Sequence, residues 1–220
     1  MMDLGDDTLS RMMVNLMATL IDWSNFNSSL VIEVVRPTGI FTCSGVAIDR
    51  DTVITAAHCL DGEILSVRVS PSASYDSSAT FLGVKSFELH PEYDAKASNY
   101  KHDLAKIKLS EELPLETKIF PIMSKSRTLE GKIVRIGHGA RLNKNIRTMV
   151  TPSFKALRKF EDVLELNDMY SYSGDSGGPI FIQSKGQMYL VAIHSTLSFG
   201  PEGKYSFNPL LTSYREWALC

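Results

Sequence analysis

A serine enclosed by glycines, Gly174-Asp175-Ser176-Gly177-Gly178-Pro179, stands just before the apolar run 179–182. Glycines let the chain turn tightly there, so that backbone N–H groups can converge on one point. Donors about 3 Å from a developing negative charge stabilise it most where water is excluded, so a hydroxyl nucleophile in this turn would have an oxyanion site beside it. Taken alone, the segment reads better as a polar glycine-rich turn. Two further segments change that balance. Thr55-Ala56-Ala57-His58-Cys59 puts a histidine among small residues at the end of the run 52–55, and His102-Asp103-Leu104 puts an acid at the start of the alternating run 104–109. Each alone would be a structural histidine or a turn-capping acid. Together they supply a general base, an orienting carboxylate and a nucleophile, in the chain order His58, Asp103, Ser176.

Such groups need a rigid scaffold. From Leu30 the chain breaks into short runs rich in Val, Ile, Phe and Thr, at 30–35, 45–48, 52–55, 65–69, 81–89, 104–109, 132–136, 179–182, 188–194 and 206–211. Turn chemistry such as Arg36-Pro37-Thr38-Gly39, Asp49-Arg50-Asp51, Glu130-Gly131 and Ser184-Lys185-Gly186 separates them, and the Ser-rich stretch 70–78 reads as an exposed loop. About ten short strands at close spacing predict an all-β sandwich or barrel pair. Residues 111–126, with Pro114 and Pro121, read as a linker between two β units. Residues 212–219 read as a short terminal helix capped by Thr212 or Ser213, with Tyr214, Trp217 and Ala218 on one face. Residues 1–23 carry apolar side chains at a helical period: either a pro-segment or a helix covering an apolar patch.

Composition limits the functions open to such a scaffold. The 220 residues are 44% hydrophobic and 22% charged, enough for a sizeable core and unlike a disordered chain. Lys plus Arg number 23 and Asp plus Glu 25, a net charge of −2 that offers nucleic acid or an acidic membrane no attraction. The longest mostly apolar stretch, 12–21, is shorter than the roughly 20 residues that span a bilayer. Three cysteines are too few for a four-cysteine zinc site; Cys43 and Cys59 are a disulfide or two buried thiols, and Cys220 is the last residue. Among His58, His90, His102 and His138 no pair has the His-x-x-x-His spacing of a helical metal site, so neither metal nor cofactor is expected. Asp3, Asp6 and Asp7 stand where a secretory signal would be positive, so either a signal has been removed from this numbering or the chain is not exported by that route.

Thr55–Cys59, Asp103-Leu104 and Gly174–Pro179 resemble the histidine, aspartate and serine motifs of the chymotrypsin/trypsin-like serine endopeptidases, and the resemblance covers residues 28–219. It implies two packed six-stranded antiparallel β-barrels (28–116 and 117–211) after an extension (1–27) and before a terminal helix (212–220), with the active site between them. It implies a peptidase that acts as a monomer on a polypeptide, with Ser176 as nucleophile, His58 as base, Asp103 as orienting acid and the N–H groups of Gly174 and Ser176 as oxyanion donors. It implies a Cys43–Cys59 disulfide and a secreted or periplasmic location, since disulfides persist in oxidising compartments. It implies that the stretch His194-Ser195-Thr196 pairs with extended substrate.

Departures from the family pattern lead to further expectations. No Ile-Val-Gly-Gly-like stretch precedes Leu30, Tyr172 replaces a usual cysteine, and the stretch from Asp103 to Ser176 is short, as in compact bacterial relatives. With no freed N-terminus to hold it, Asp175 needs an internal partner. Arg135, which shares a face with Ile133, stands just before Gly137-His138-Gly139, where compact bacterial members have such an arginine; the alternative is an arginine facing solvent. The primary pocket is expected from Tyr170, Ser171, His194, Ser195, Thr196 and Ser206. It has no acid for a basic side chain, and its hydroxyl and imidazole groups resemble those of glutamyl endopeptidases, which implies a preference for Glu before the scissile bond. A small apolar preference, or a pocket closed by Tyr170, are the alternatives. An intact triad with an unformed oxyanion site would make a catalytically silent binding module on the same fold.

Overall fold

The computed structural model describes residues 26–71, 79–96, 101–139, 148–150, 156–160, 162–168, 171–200 and 203–220. The helical reading of 1–23 and nearly all of the Ser-rich loop lie outside these. Among the described residues no helix is long and apolar enough to cross a membrane.

The first half is a closed barrel. Its strands are β1 (Ser29–Arg36), β2 (Gly39–Ala47), β3 (Thr52–Thr55), β4 (Ser66–Ser70), β5 (Leu82–Leu89) and β6 (Ala105–Leu109), in the order β1-β2-β3-β6-β5-β4. In β6 period-two alternation sends Ala105, Ile107 and Leu109 inward and leaves Lys106 and Lys108 outside. Leu30, Ile32 and Val34 of β1 pack in the same interior. Glu33, buried on the opposite face of β1, is paired with Arg68 of β4.

The second half consists of β7 (Lys132–Gly137), β8 (Thr148–Val150), β9 (Ala156–Phe160), β10 (Val163–Asn167), β11 (Pro179–Ser184), β12 (Gln187–Ile193), β13 (Thr196–Gly200) and β14 (Gly203–Pro209). They form two four-stranded sheets, β12-β11-β7-β8 and β13-β14-β10-β9. This corrects the expectation of a second six-stranded barrel: among the described residues only the first half closes. At the junction of β12 and β13, His194 N–H donates to Gly178 O at 2.8 Å and His194 O accepts from Gly177 N–H at 2.7 Å, which carries the β11–β12 pairing one step past Pro179 and Ile193 into the Ser176 loop. β8, β9, β10 and β13 were not among the expected strands; β10 (VLELN) is too short for its alternation to stand out.

One cluster joins the halves: Val46, Ile54 and Leu104 from the barrel meet Val134, Ile136, Phe181 and Ile193 from the second half. The terminal helix α1 (Arg215–Leu219) adds Ala218 to that cluster, with Tyr214 at its N-cap; neither Thr212 nor Ser213 provides a side-chain cap. Cys43 of β2 and Cys59 form a disulfide with a Cα–Cα distance of 6.4 Å, which ties the segment after β3 to the barrel wall.

Candidate active site

β3 and β6 are neighbours in a register that pairs Thr55 with Ala105. Their ends therefore coincide, and the residues just beyond, His58 in a 3-10 turn (Ala57–Cys59) and Asp103, come together. Ala56 and Ala57 are fully buried, so only small side chains fit where the turn packs. Asp103 Oδ1 accepts the His58 backbone N–H at 2.8 Å, and its Oδ2 lies 2.7 Å from His58 Nδ1 and 2.5 Å from Ser195 Oγ. An acid that takes three donors keeps Nδ1 protonated and leaves Nε2 with its lone pair. Burial works against a charge on His58, but the bond to Asp103 and its negative charge outweigh this and raise the histidine pKa. Burial alone would raise Asp103, yet its bonds to His58 and Ser195 hold it below the usual carboxylate range.

Ser176 comes from the loop before β11. Ser44 N–H of β2 donates to Ser176 O at 2.7 Å, and Ser44 Oγ donates to Gly174 O at 2.8 Å, so the first barrel grips the loop of the second half. A Cβ on Gly177, at φ +82°, would overlap Ser44 O and Thr55 Oγ1. Tyr172 to Asp175 form a turn closed by Asp175 N–H to Tyr172 O at 3.0 Å, with φ +97° at Gly174. Positive φ at the third position alone defines a type II turn, which orients the central peptide opposite to type I. Ser173 O accordingly faces residues 137–139, where a Cβ on Gly139 would come within 2.9 Å of it, and the Gly174 N–H points the other way. Among the described residues, neither Gly174 N–H nor Ser176 N–H has a protein acceptor. Two such donors beside a serine hydroxyl are the arrangement that an oxyanion site needs. No hydrogen bond joins Ser176 Oγ to His58 Nε2 among the described residues.

Under this loop lies a charge cluster. Arg135 of β7 is fully buried; its Nη1 lies 3.1 Å from Asp175 Oδ2, while its Nε and Nη2 lie 2.8 and 3.0 Å from the two oxygens of Asp168. Asp175 also accepts N–H bonds from Gly139 at 2.8 Å and Tyr172 at 2.9 Å. Asp168, just after β10, was not singled out in the sequence, because nothing local links it to residues 135 or 175.

The pocket residues meet around His194. Asn208 donates through Nδ2 to Leu164 O at 2.9 Å and Ser206 Oγ at 3.0 Å, so its Oδ1 must accept from His194 Nδ1 at 3.0 Å. His194 Nε2 then accepts from Ser171 Oγ at 2.7 Å. Burial and the nearby charge of Arg135 push the His194 pKa down to about 4. Ser195, expected in the pocket, directs its hydroxyl to Asp103, and Asn208 is an unforeseen member of the network. Tyr170 lies outside the described residues. A cleft of about 380 Å³ is lined by His58, Asp103, Ser171, Ser176, His194 and Thr196, among others. The expectation of no metal ligands rested on local spacing, yet the fold gathers His90, Glu92 and His102 at one edge of this cleft.

The family model described as Trypsin matches residues 26–218, and the chain belongs to that family. It is 26% identical over 207 residues to coagulation factor IX of Cavia porcellus, covering 80% of this chain and 71% of that protein. It is 27% identical to a chymotrypsin of Phaedon cochleariae over 206 residues, with the same two coverages. In fold it is similar to the scabies mite inactivated protease paralogue S-I1, with a TM-score of 0.73, 17% identity, and coverage of 90% of this chain and 94% of that one. These relatives are animal proteins, and none ties the chain to the compact bacterial members that its sequence resembles.

Two outcomes follow from the geometry. In nuclear magnetic resonance, His58 is expected to titrate with a midpoint above the usual 6.5 or so, and Asp103→Asn to lower that midpoint; a wild-type midpoint below the usual value contradicts the arrangement. Arg135→Ala strands two buried carboxylates and is expected to cost about 3–5 kcal/mol in urea unfolding at neutral pH. That cost should shrink as the pH is lowered and a carboxylate takes a proton.

Proposed function

We propose that the protein is a serine endopeptidase. Ser176 attacks the scissile carbonyl, and His58 Nε2 accepts its proton and returns it to the leaving amine. Asp103 holds the imidazole in the required tautomer. The observation that carries this reading is the pair of unpaired N–H donors, Gly174 and Ser176, next to a histidine already oriented by Asp103. Arg135 holds Asp175, and through it the turn that aims the Gly174 N–H, so the site needs no cut at the N-terminus to become competent. The disulfide fits a secreted or otherwise extracytoplasmic protein.

A second reading, a catalytically silent module of the same fold, is favoured by the missing Ser176–His58 hydrogen bond and by the fold's likeness to an inactivated paralogue. The first of these is a weak objection, because such bonds are often long without substrate. Against it stands the type II turn at Gly174, which leaves the oxyanion site open.

In the primary pocket, we infer a preference for Glu before the scissile bond. An entering carboxylate would favour protonation of His194, whose Nε2–H could then donate to it, while Ser171 turns its hydroxyl to the same group.

A fluorophosphonate probe tests the first reading: covalent labelling lost in Ser176→Ala supports a peptidase, and folded protein that resists labelling supports the silent module. Ser176→Ala should lower kcat by on the order of 10⁴–10⁶. For Glu substrates, kcat/KM relative to apolar substrates is expected to fall as the pH rises, because the carboxylate needs a protonated His194. A peptide library cleaved only after Ala, Leu, Phe or Arg would remove the Glu preference.

A further inference from the structure

β5 and β6 pair up to Leu89 and Ala105, and just past that pair His90 and His102 meet. His90 N–H donates to Leu104 O at 2.8 Å, and the two imidazoles stack with centroids 5.0 Å apart. Glu92, two residues along the turn, brings Oε2 to 3.5 Å from His102 Nδ1. That ring nitrogen is buried and makes no hydrogen bond, an arrangement a simple aromatic packing of His90 and His102 on Tyr214 would not require. One ligand atom from each of His90, Glu92 and His102 lies within 4.8 Å of the other two.

Two imidazoles and a carboxylate are a donor set that zinc favours, with nitrogen and oxygen bonds of about 2.0–2.2 Å. Closing onto an ion needs a contraction of roughly an ångström. The Glu92 side chain, 71% exposed, is free to make most of it. Ligation costs His90 one weak contact, the Glu92 N–H to its Nδ1 at 3.2 Å. The charged groups around the site are Glu92, Asp94 and Asp103 against Lys101, all lining the cleft. Lys106 is engaged by Glu88 at 2.9 Å and by Trp217 O.

We propose that His90, Glu92 and His102 form a binding site for a divalent ion of the zinc type, with its remaining position open to the cleft, and that occupancy slows catalysis. Glu92, His102, His58 and Ser176 line one cleft, so an ion held at Glu92 and His102 stands beside the space a substrate must enter. The ion and its water also narrow the cleft wall at Glu92. The inhibitory half rests on the peptidase reading; the binding half does not.

The full chain carrying Ser176→Ala, freed of metal by chelation, is titrated with zinc chloride by calorimetry. One saturable ion per chain is expected, weakened at least about tenfold by His102→Gln and by Glu92→Gln. No saturable binding, or binding unchanged in both variants, overturns the site. If the His102 variant fails to fold, the exposed Glu92 variant still decides. In the chain with Ser176 intact, zinc should slow fluorophosphonate labelling, chelator should restore it, and Glu92→Gln should keep its metal-free rate but lose the response. Inhibition that persists in Glu92→Gln after calorimetric binding is lost would place the ion on His58 and overturn the regulatory role. Calorimetric binding without labelling under any condition would sink the peptidase reading and leave the metal site standing.

Discussion

A fully buried guanidinium is costly unless its charge and all its donors are met, and much of the second half is arranged around that requirement of Arg135. Asp168 accepts a hydrogen bond from Nη2 and sets its other oxygen 2.8 Å from Nε, and Asp175 accepts from Nη1. One positive against two negative charges leaves an excess, which the N–H groups of Gly139 and Tyr172 on Asp175 help to offset. Because those bonds leave Asp175 a single orientation, they also define the Tyr172–Asp175 turn and the direction of the peptide before Gly174. Gly137 and Gly139 lack side chains for the same reason: a Cβ at either would collide with the Asp175 carboxylate. The same positive charge helps keep His194 neutral. A single buried ion cluster thus sets the oxyanion loop above it and the protonation state of the pocket beside it.

The two halves divide the chemistry between them. The closed barrel holds His58 and Asp103 at the ends of adjacent strands, where register fixes their separation. The second half supplies the nucleophile on a loop and the pocket on open sheets. Ser44 of the barrel grips that loop, and Ser195 of the second half reaches back to Asp103, so each half holds a candidate catalytic residue of the other. Between β12 and β13, His194 uses its backbone groups to hold Gly177 and Gly178.

The segment 102–104 serves two neighbours at once. On one side Asp103 orients His58; on the other His102 stacks on His90, which in turn meets Tyr214 and Trp217 near the terminal helix. Any event at His102 is therefore adjacent to the carboxylate on which the base depends.

The sequence by itself determined the order of His58, Asp103 and Ser176 as candidate reacting groups, because each sits in a short motif whose neighbours have local reasons to be small, glycine or apolar. It determined the all-β class and most of the strands of the first barrel, since period-two burial and turn residues are local signals. Arg135 as a partner for Asp175 came from the family resemblance together with the demand a buried acid makes, with a solvent-facing arginine as the alternative that the buried pair in the structure removes. Only the tertiary structure decided that the described strands of the second half form two four-stranded sheets, because strand pairing joins partners distant in the chain. Asp168 and Asn208 were likewise invisible, since their partners lie far away in the chain, whereas His90 and His102 were visible as histidines but their meeting with Glu92 depends on the pairing of β5 with β6. Ser195 shows the same limit within a single residue: its position suggested the pocket, and a contact with Asp103, 92 residues distant, assigned its hydroxyl to the triad instead.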